Sequence, residues 1–277
     1  MLCGGKKRVR TPAPEDAGEL ARLYAGLRAC YVRCHTVILA CQAYACSLPI
    51  VQNHLIELLP RAARLRLLAI CEPVELVMAE VLGEVGIPTR YVYFPTKSFI
   101  SLVTPIKGKP VLEVGMIGRE GMLGTHLALG VKTAPLHALV QGPGAAWRIG
   151  VVAFRSELAH SSALQRSLNR YVYVMMMQLA SAASCLRFHQ IEPRLARWLL
   201  MTQDRAQSNT FHITHEFLAY MLGVRRVGVT AAASVLQHAG LIKYHRGEIE
   251  VLSRRGLEAA ACSCYAADRK AYADILH

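Results

Sequence analysis

Basic and hydroxyl side chains cluster in the C-terminal third of the sequence, where they could bind the phosphates and base edges of DNA. Residues 213–242 predict two helices separated by Gly223, because Thr214 can cap the first helix and Gly240 ends the second. In a helix-turn-helix, the N-terminal end of the second helix enters the major groove, where arginine can fork onto guanine. The candidate DNA-binding residues of the two helices are Thr214, His215, Arg225, Arg226 and Thr230.

A β-hairpin is predicted directly after these helices. Residues 241–245 and 248–252 are short β-prone runs, and Arg246-Gly247 supplies the turn between them. Basic side chains on such a wing contact backbone phosphate, which adds affinity without reading sequence. A helical pair and hairpin used only for packing is the alternative, and the exposed arginines favour DNA binding over it. The candidate phosphate contacts of the wing are Lys243, His245 and Arg246.

Cysteine is frequent near the N-terminus, but its spacing there predicts no metal site. Cys30, Cys34, Cys41 and Cys46 are separated by three, six and four residues, which fits no CxxC-type knuckle. We therefore interpret them as ordinary thiols of an N-terminal extension, residues 1–47, that is poorly ordered or helical.

A second set of possible ligands lies further along the chain. Cys185 and His189 are four residues apart on a predicted helix, so both could face one metal ion. Two ligands do not make a site, and Cys262 and Cys264 add only another incomplete pair. No Ser/His/Asp or paired-carboxylate arrangement is specific enough to indicate catalysis. The sequence therefore predicts no enzyme, no metal site and no cofactor.

The elements that must position the DNA-binding residues begin with a β-rich segment. Residues 50–82 show helical periodicity, with Pro60 and Pro73 where helices begin. Between residues 83 and 153, Gly and Pro recur between short β-prone runs, the pattern of a small β-sandwich or jelly roll. The predicted strands are residues 90–94, 99–103, 111–114, 137–140 and 146–149.

A long helix is predicted over residues 156–189. Its apolar residues alternate in steps of four and three, which approximates the heptad seam of two helices packed side by side. The seam consists of Leu164, Leu168, Tyr171, Met175, Gln178/Leu179, Ala182 and Leu186. A core helix of one domain is the alternative, but the length without internal Gly or Pro favours a dimer helix.

The expected fold class is therefore α+β. After the extension at 1–47, we expect a jelly-roll sensor domain at 48–158, a dimerisation helix at 159–190 and a winged helix-turn-helix domain at 191–277.

Composition agrees with a cytoplasmic protein that binds a polyanion. Lys and Arg number 32 against 19 Asp and Glu, and the formal net charge of +13 suits nucleic-acid phosphates. The 9 cysteines form no regular framework, which argues for a reducing cytoplasm rather than a secreted disulfide scaffold. No apolar run reaches the roughly 18 residues that a membrane span needs.

Several stretches resemble CRP/FNR-type transcription regulators. The matching residues are 92–94, 118–124, 194–200, 217–226 and 240–242. The resemblance implies a cyclic-nucleotide-binding-like jelly roll, a long dimerising helix and a winged helix that reads near-palindromic, double-stranded operator DNA. It also implies a homodimer that contacts RNA polymerase. The cassette-like segment that could bind an effector comprises Gly118, Arg119, Glu120, Gly121 and Gly124.

The sequence departs from this family at two places. Thr125 stands where cyclic-nucleotide-binding members carry Glu, and only Lys132 lies near the position of the Arg that pairs with the phosphate. On the second helix, Val227 and Ala231 replace the Glu and Arg of many relatives, so their operator does not carry over. The effector stays unassigned. The runner-up function is an effector-binding protein whose winged helix mediates protein contacts.

Overall fold

The computed structural model describes residues 53–106 and 109–276, so the predicted extension at 1–47 lies outside the described residues. Two short helices come first, α1 (His54–Glu57) and α2 (Arg61–Ala69). The sequence predicts helical structure through residue 82, and this prediction is wrong beyond α2. Strands β1 (Glu72–Leu76) and β2 (Val81–Gly83) follow instead. Pro73 fits β1 because β1 is an edge strand, where a missing backbone donor costs no ladder hydrogen bond.

Two antiparallel sheets form the expected jelly roll. One sheet has the order β1-β7-β3 and the other β2-β6-β4-β5. The five strands predicted from sequence are all present, as β3 (Tyr91–Pro95), β4 (Phe99–Ile106), β5 (Lys109–Ile117), β6 (His137–Gly142) and β7 (Gly144–Gly150). A core cluster combines side chains from both sheets, among them Tyr93 and Ala146 from one and Ile100 and Val140 from the other. The two sheets therefore pack face to face.

A long helix follows the jelly roll. After α3 (Val151–His160), Ser161 caps α4 (Ser162–Phe188) by accepting a hydrogen bond from the Leu164 N–H. Leu164, Leu168 and Tyr171 pack inside this chain, in one core with α1 and α2, and are at most 2% exposed. The N-terminal half of the predicted seam is thus intramolecular core. No helix of the described residues is both long and apolar enough to span a membrane.

The C-terminal part is a winged helix. Its core combines α5, α6, α7 and the wing strands. The elements are α5 (Ile191–Ala206), β8 (Thr210–His212), α6 (His215–Leu222), α7 (Arg226–His238), β9 (Ile242–His245), β10 (Glu248–Val251), α8 (Arg254–Ala260) and α9 (Ser263–Ile275). Strand β8, which the sequence did not predict, pairs with β10 and widens the hairpin to a three-stranded sheet.

The winged helix packs directly on the jelly roll. Val103 and Met116 of the jelly roll share one core with Trp198 and Leu222. The contact comes close to the helix-turn-helix itself, because a Cβ added at Gly223 would lie 2.7 Å from Leu112 Cδ1 of β5. The turn and the jelly-roll sheet are therefore in contact.

Candidate nucleic-acid interface

The turn between α6 and α7 has the geometry that the sequence predicts. The Phe217 N–H donates a hydrogen bond to Thr214 Oγ1 at 3.2 Å, so Thr214 caps α6. Gly223 ends α6 with φ +62°, a left-handed conformation that glycine adopts without a Cβ penalty. Arg225 is the N-cap of α7, so the two candidate arginines lie where the second helix begins.

One face of α7 is exposed and could contact DNA. Arg225 and Arg226 are exposed at the start of the helix. Val227 is 79% exposed and lies next to them on the same face. Thr230 and Ala231 continue this surface one turn further along. The opposite face is buried and consists of Val229, Ala232, Ala233 and Leu236.

His215 links the two helices to the wing. Its Nδ1 lies 3.0 Å from Thr230 Oγ1, and its ring stacks on Tyr244 with centroids 4.1 Å apart. The Thr230 hydroxyl also donates to the Arg226 carbonyl at 3.1 Å. Burial and the nearby Arg226 charge lower the pKa of His215, which favours the neutral ring. In this structure His215 and Thr230 contact each other, and together they hold α6, α7 and the wing in register.

The wing presents its basic residues to solvent. Lys243, His245 and Arg246 are all exposed. Arg246 and Gly247 have φ values of 48° and 84°, so the two-residue turn places both in the left-handed region. This is the conformation that tight hairpins with right-handed strand twist require. The turn therefore carries Arg246 at the tip of the wing.

The cassette-like segment connects the two domains. Arg205 of α5 pairs with Glu120 at 2.8 Å, and its side chain is 6% exposed. The same guanidinium donates to the Met116 carbonyl at 3.3 Å. Gly118 is packed against Arg205, because a Cβ there would lie 2.6 Å from Arg205 Cγ. Glu120 therefore serves as the partner of a buried arginine in this structure.

The remaining cassette residues also lie in packed surroundings. Gly121 lies directly against the ring of Tyr171, and its carbonyl accepts a hydrogen bond from the Asn53 side chain at 2.9 Å. Gly124 has φ +104° and begins a short 3₁₀ turn. Arg119 lines a cavity of about 590 Å³ between the cassette, α5 and α9.

A second cavity of about 180 Å³, the jelly-roll cavity, lies between the jelly roll and helix α4. Its lining is mostly apolar and includes Leu123 and Met176. Its polar groups include Thr89, Thr125 and His126. No lysine or arginine lines it within the described part of the chain, and Lys132 is exposed outside it. Burial lowers the pKa of His126, so this ring also favours the neutral form.

Comparisons with known proteins agree with this architecture. Residues 193–260 match the model of the Crp-like helix-turn-helix domain. FixK2 from Bradyrhizobium japonicum has a similar fold, with a TM-score of 0.59 and 14% identity over 70% of this chain and 98% of that one. A CRP-family transcriptional regulator from Thermus thermophilus has a TM-score of 0.56 and 18% identity over 68% and 96% of the two chains.

CLP, described as a c-di-GMP-responsive global regulator of Xanthomonas campestris, has a TM-score of 0.53 and 16% identity, covering 70% of this chain and all (100%) of CLP. No curated protein matches the chain. The fold is thus that of CRP/FNR regulators, and residues 193–260 carry a Crp-like helix-turn-helix domain, in agreement with the resemblance seen in the sequence.

Proposed function

We propose that this chain, which carries a Crp-like helix-turn-helix on the fold of CRP/FNR regulators, is a transcription regulator that binds operator DNA as a dimer. The observation that carries the proposal is the exposed N-terminal end of α7, with Arg225 and Arg226 beside a basic wing. The N-terminal end of a recognition helix is the part that reaches base edges in the major groove.

Phosphate contacts would supply most of the affinity. Lys243 and Arg246 are exposed on the wing, and neither forms an ion pair with a carboxylate of the described residues. The formal net charge of +13 adds long-range attraction to a polyanion. Such binding weakens steeply as salt rises, because neutralised phosphates release counterions.

Base recognition would come from the exposed face of α7. Arg226 can fork onto guanine O6 and N7, whereas Val227 and Ala231 offer only apolar contact, such as with a thymine methyl group. His215 and Thr230, which bond to each other, would position the helix and contact phosphate. The operator should therefore differ from those read by the Glu and Arg of many relatives.

Dimerisation would use a stripe of α4 other than its intramolecular core. Val172, Met176, Leu179 and Ala183 follow one another in steps of four, three and four, the spacing of a coiled-coil seam. Met176 is 62% exposed and Leu179 is 38% exposed, although both are apolar. A second copy of α4 would cover this stripe. The resulting dimer would place its two recognition helices on the two half-sites of a near-palindromic operator.

A regulator of this kind would act on chromosomal DNA in the cytoplasm and would contact RNA polymerase there. The competing hypothesis, an effector-binding protein whose winged helix mediates protein contacts, makes no use of exposed arginines at a recognition helix. Under that hypothesis, the protein would not bind duplex DNA with an affinity that depends steeply on salt.

The proposal can be tested by selecting genomic fragments with the purified protein and measuring affinity for the selected duplex over a salt series. The logarithm of the binding constant should fall linearly with the logarithm of the salt concentration. Arg226→Ala should weaken specific binding by about 1–3 kcal/mol. Arg61→Ala removes the same charge from an exposed position on α2 and serves as the control. Salt-independent binding, or equal losses in both variants, would contradict the proposal.

A further inference from the structure

Four potential metal ligands meet where the long helix ends and the last helix begins. Cys185 lies in the final turn of α4, and His189 is its C-cap. Cys262 is the N-cap of α9, and Cys264 lies in its first turn. The three sulfur atoms and a ring nitrogen all lie within 4.8 Å of one another. Two incomplete pairs, 73 or more residues apart in the sequence, thus form one constellation.

The separations match a four-coordinate site. Cys185 Sγ lies 3.6 Å from Cys262 Sγ, and Cys264 Sγ lies 3.6 Å from His189 Nδ1. In a tetrahedron with Zn–S of about 2.3 Å and Zn–N of about 2.0 Å, neighbouring ligand atoms are about 3.5–3.8 Å apart. A disulfide would require about 2.05 Å between sulfurs. Two of the separations match this tetrahedron and all of them lie within 4.8 Å, so the four ligand atoms could surround a single ion.

The surroundings suit anionic sulfur ligands. Cys185, Cys262 and Cys264 are buried, at 2%, 7% and 8% exposure, and form a small cluster separate from the other cores of the described residues. The guanidinium groups of Arg194 and Arg197 both interact electrostatically with Cys185 and Cys262. The N-terminal end of α9 adds a partial positive charge at Cys262 and Cys264.

We propose that Cys185, His189, Cys262 and Cys264 bind one zinc ion in a closed structural site. Three thiolates and one imidazole with no fifth ligand are a donor set of structural zinc, and soft sulfur disfavours magnesium, calcium and manganese. The ion would join α4 to α9 across the linker at Gln190, where the long helix gives way to the winged helix. It would fix the direction in which the DNA-binding domain leaves that helix. This site does not depend on the proposed function.

The metal content of the full-length protein, purified under reducing conditions, tests the proposal. We expect one zinc per chain. The loss of zinc in Cys264→Ser and in His189→Ala, with retention in Cys71→Ser, would support the site; Cys71 is a partly buried thiol outside it. Equal zinc in wild type and Cys264→Ser would overturn the site, as would a wild type that holds no zinc.

A second measurement does not require the ligand variants to fold. It uses a chain in which the five N-terminal cysteines are replaced by Ser, so that their thiols cannot contribute; these are Cys3, Cys30, Cys34, Cys41 and Cys46. Cobalt(II) added to this chain in place of zinc should give the intense visible bands of a tetrahedral ion and a sulfur-to-metal charge-transfer band. Weak octahedral bands, or none, would refute the site.

Discussion

The indole N–H of Trp198 donates a hydrogen bond to Glu113 Oε1 at 2.8 Å, which joins helix α5 of the winged helix to strand β5 of the jelly roll. The Ser101 hydroxyl donates to the other carboxylate oxygen at 2.6 Å. Arg205 and Glu120 make a second polar contact between the same two domains. The jelly-roll sheet and the winged helix are thus connected through specific buried groups.

Glu113 should make stability depend on pH. Burial raises its pKa from an ordinary 4.5 to about 7, although hydrogen bonds from Ser101 and Trp198 partly oppose this. Between these values the folded chain keeps a proton that the unfolded chain has lost, so the free energy of unfolding should fall as pH rises from about 4.5 to about 7. Above about pH 7 the stabilisation that comes from the protonated Glu113 carboxyl should be lost.

Denaturant titrations measure this effect. The free energy of unfolding of wild type and of Glu113→Gln is plotted against pH from about pH 5 to about pH 8, and the two curves are compared. Glutamine keeps an acceptor for the Trp198 N–H but has no proton to lose. The wild type should lose stability relative to the variant across the window. Parallel curves would mean that Glu113 titrates normally.

Val227 should contribute to base recognition. Its side chain is 79% exposed at the start of α7, where it could cover a thymine methyl group. Val227→Ala should reduce discrimination against a mismatch at one operator position by about 1 kcal/mol, with non-specific binding unchanged. Val235→Ala, at a 53% exposed position two turns along the helix, is the matched control and should keep full discrimination. If both variants keep full discrimination, Val227 does not face a base.

Met176 should lie in the dimer interface. Met176→Glu should give monomers in sedimentation experiments, because it places an unpaired charge in an apolar contact. Met177→Glu is the matched control, since the neighbouring residue points about 100° away around the helix. Leu168 does not test dimerisation, because it is 0% exposed within its own chain and a charge there should unfold the protein. A dimer that survives Met176→Glu would place the interface elsewhere.

Cyclic nucleotides should not bind in the jelly-roll cavity. A buried cyclic phosphate needs a cation and aligned donors, and the lining of this cavity is mostly apolar. Calorimetry with cyclic AMP and cyclic GMP should show no heat at millimolar nucleotide. Micromolar binding that disappears in Thr125→Ala or Lys132→Ala would show that the cassette binds phosphate after all.

The sequence by itself determined the elements whose signals are local. Thr214 and Gly223 specify the start of α6 and the turn after it, because capping and positive φ depend on a few neighbouring residues. Strands β3 to β7 were predictable for the same reason, since alternating β-prone runs separated by Gly and Pro bend the chain locally. Strand β1 was missed because Pro73 indicates a helix start equally well, and only its edge position makes it a strand.

Only the tertiary structure decided what each face packs against. Heptad spacing identifies an apolar stripe on α4, but it does not say whether Leu168 meets another chain or its own jelly roll. The pairing of Arg205 with Glu120 and the gathering of Cys185 with Cys262 join positions far apart in the sequence. Such contacts arise from the packing of whole elements, and no local pattern in the chain records them.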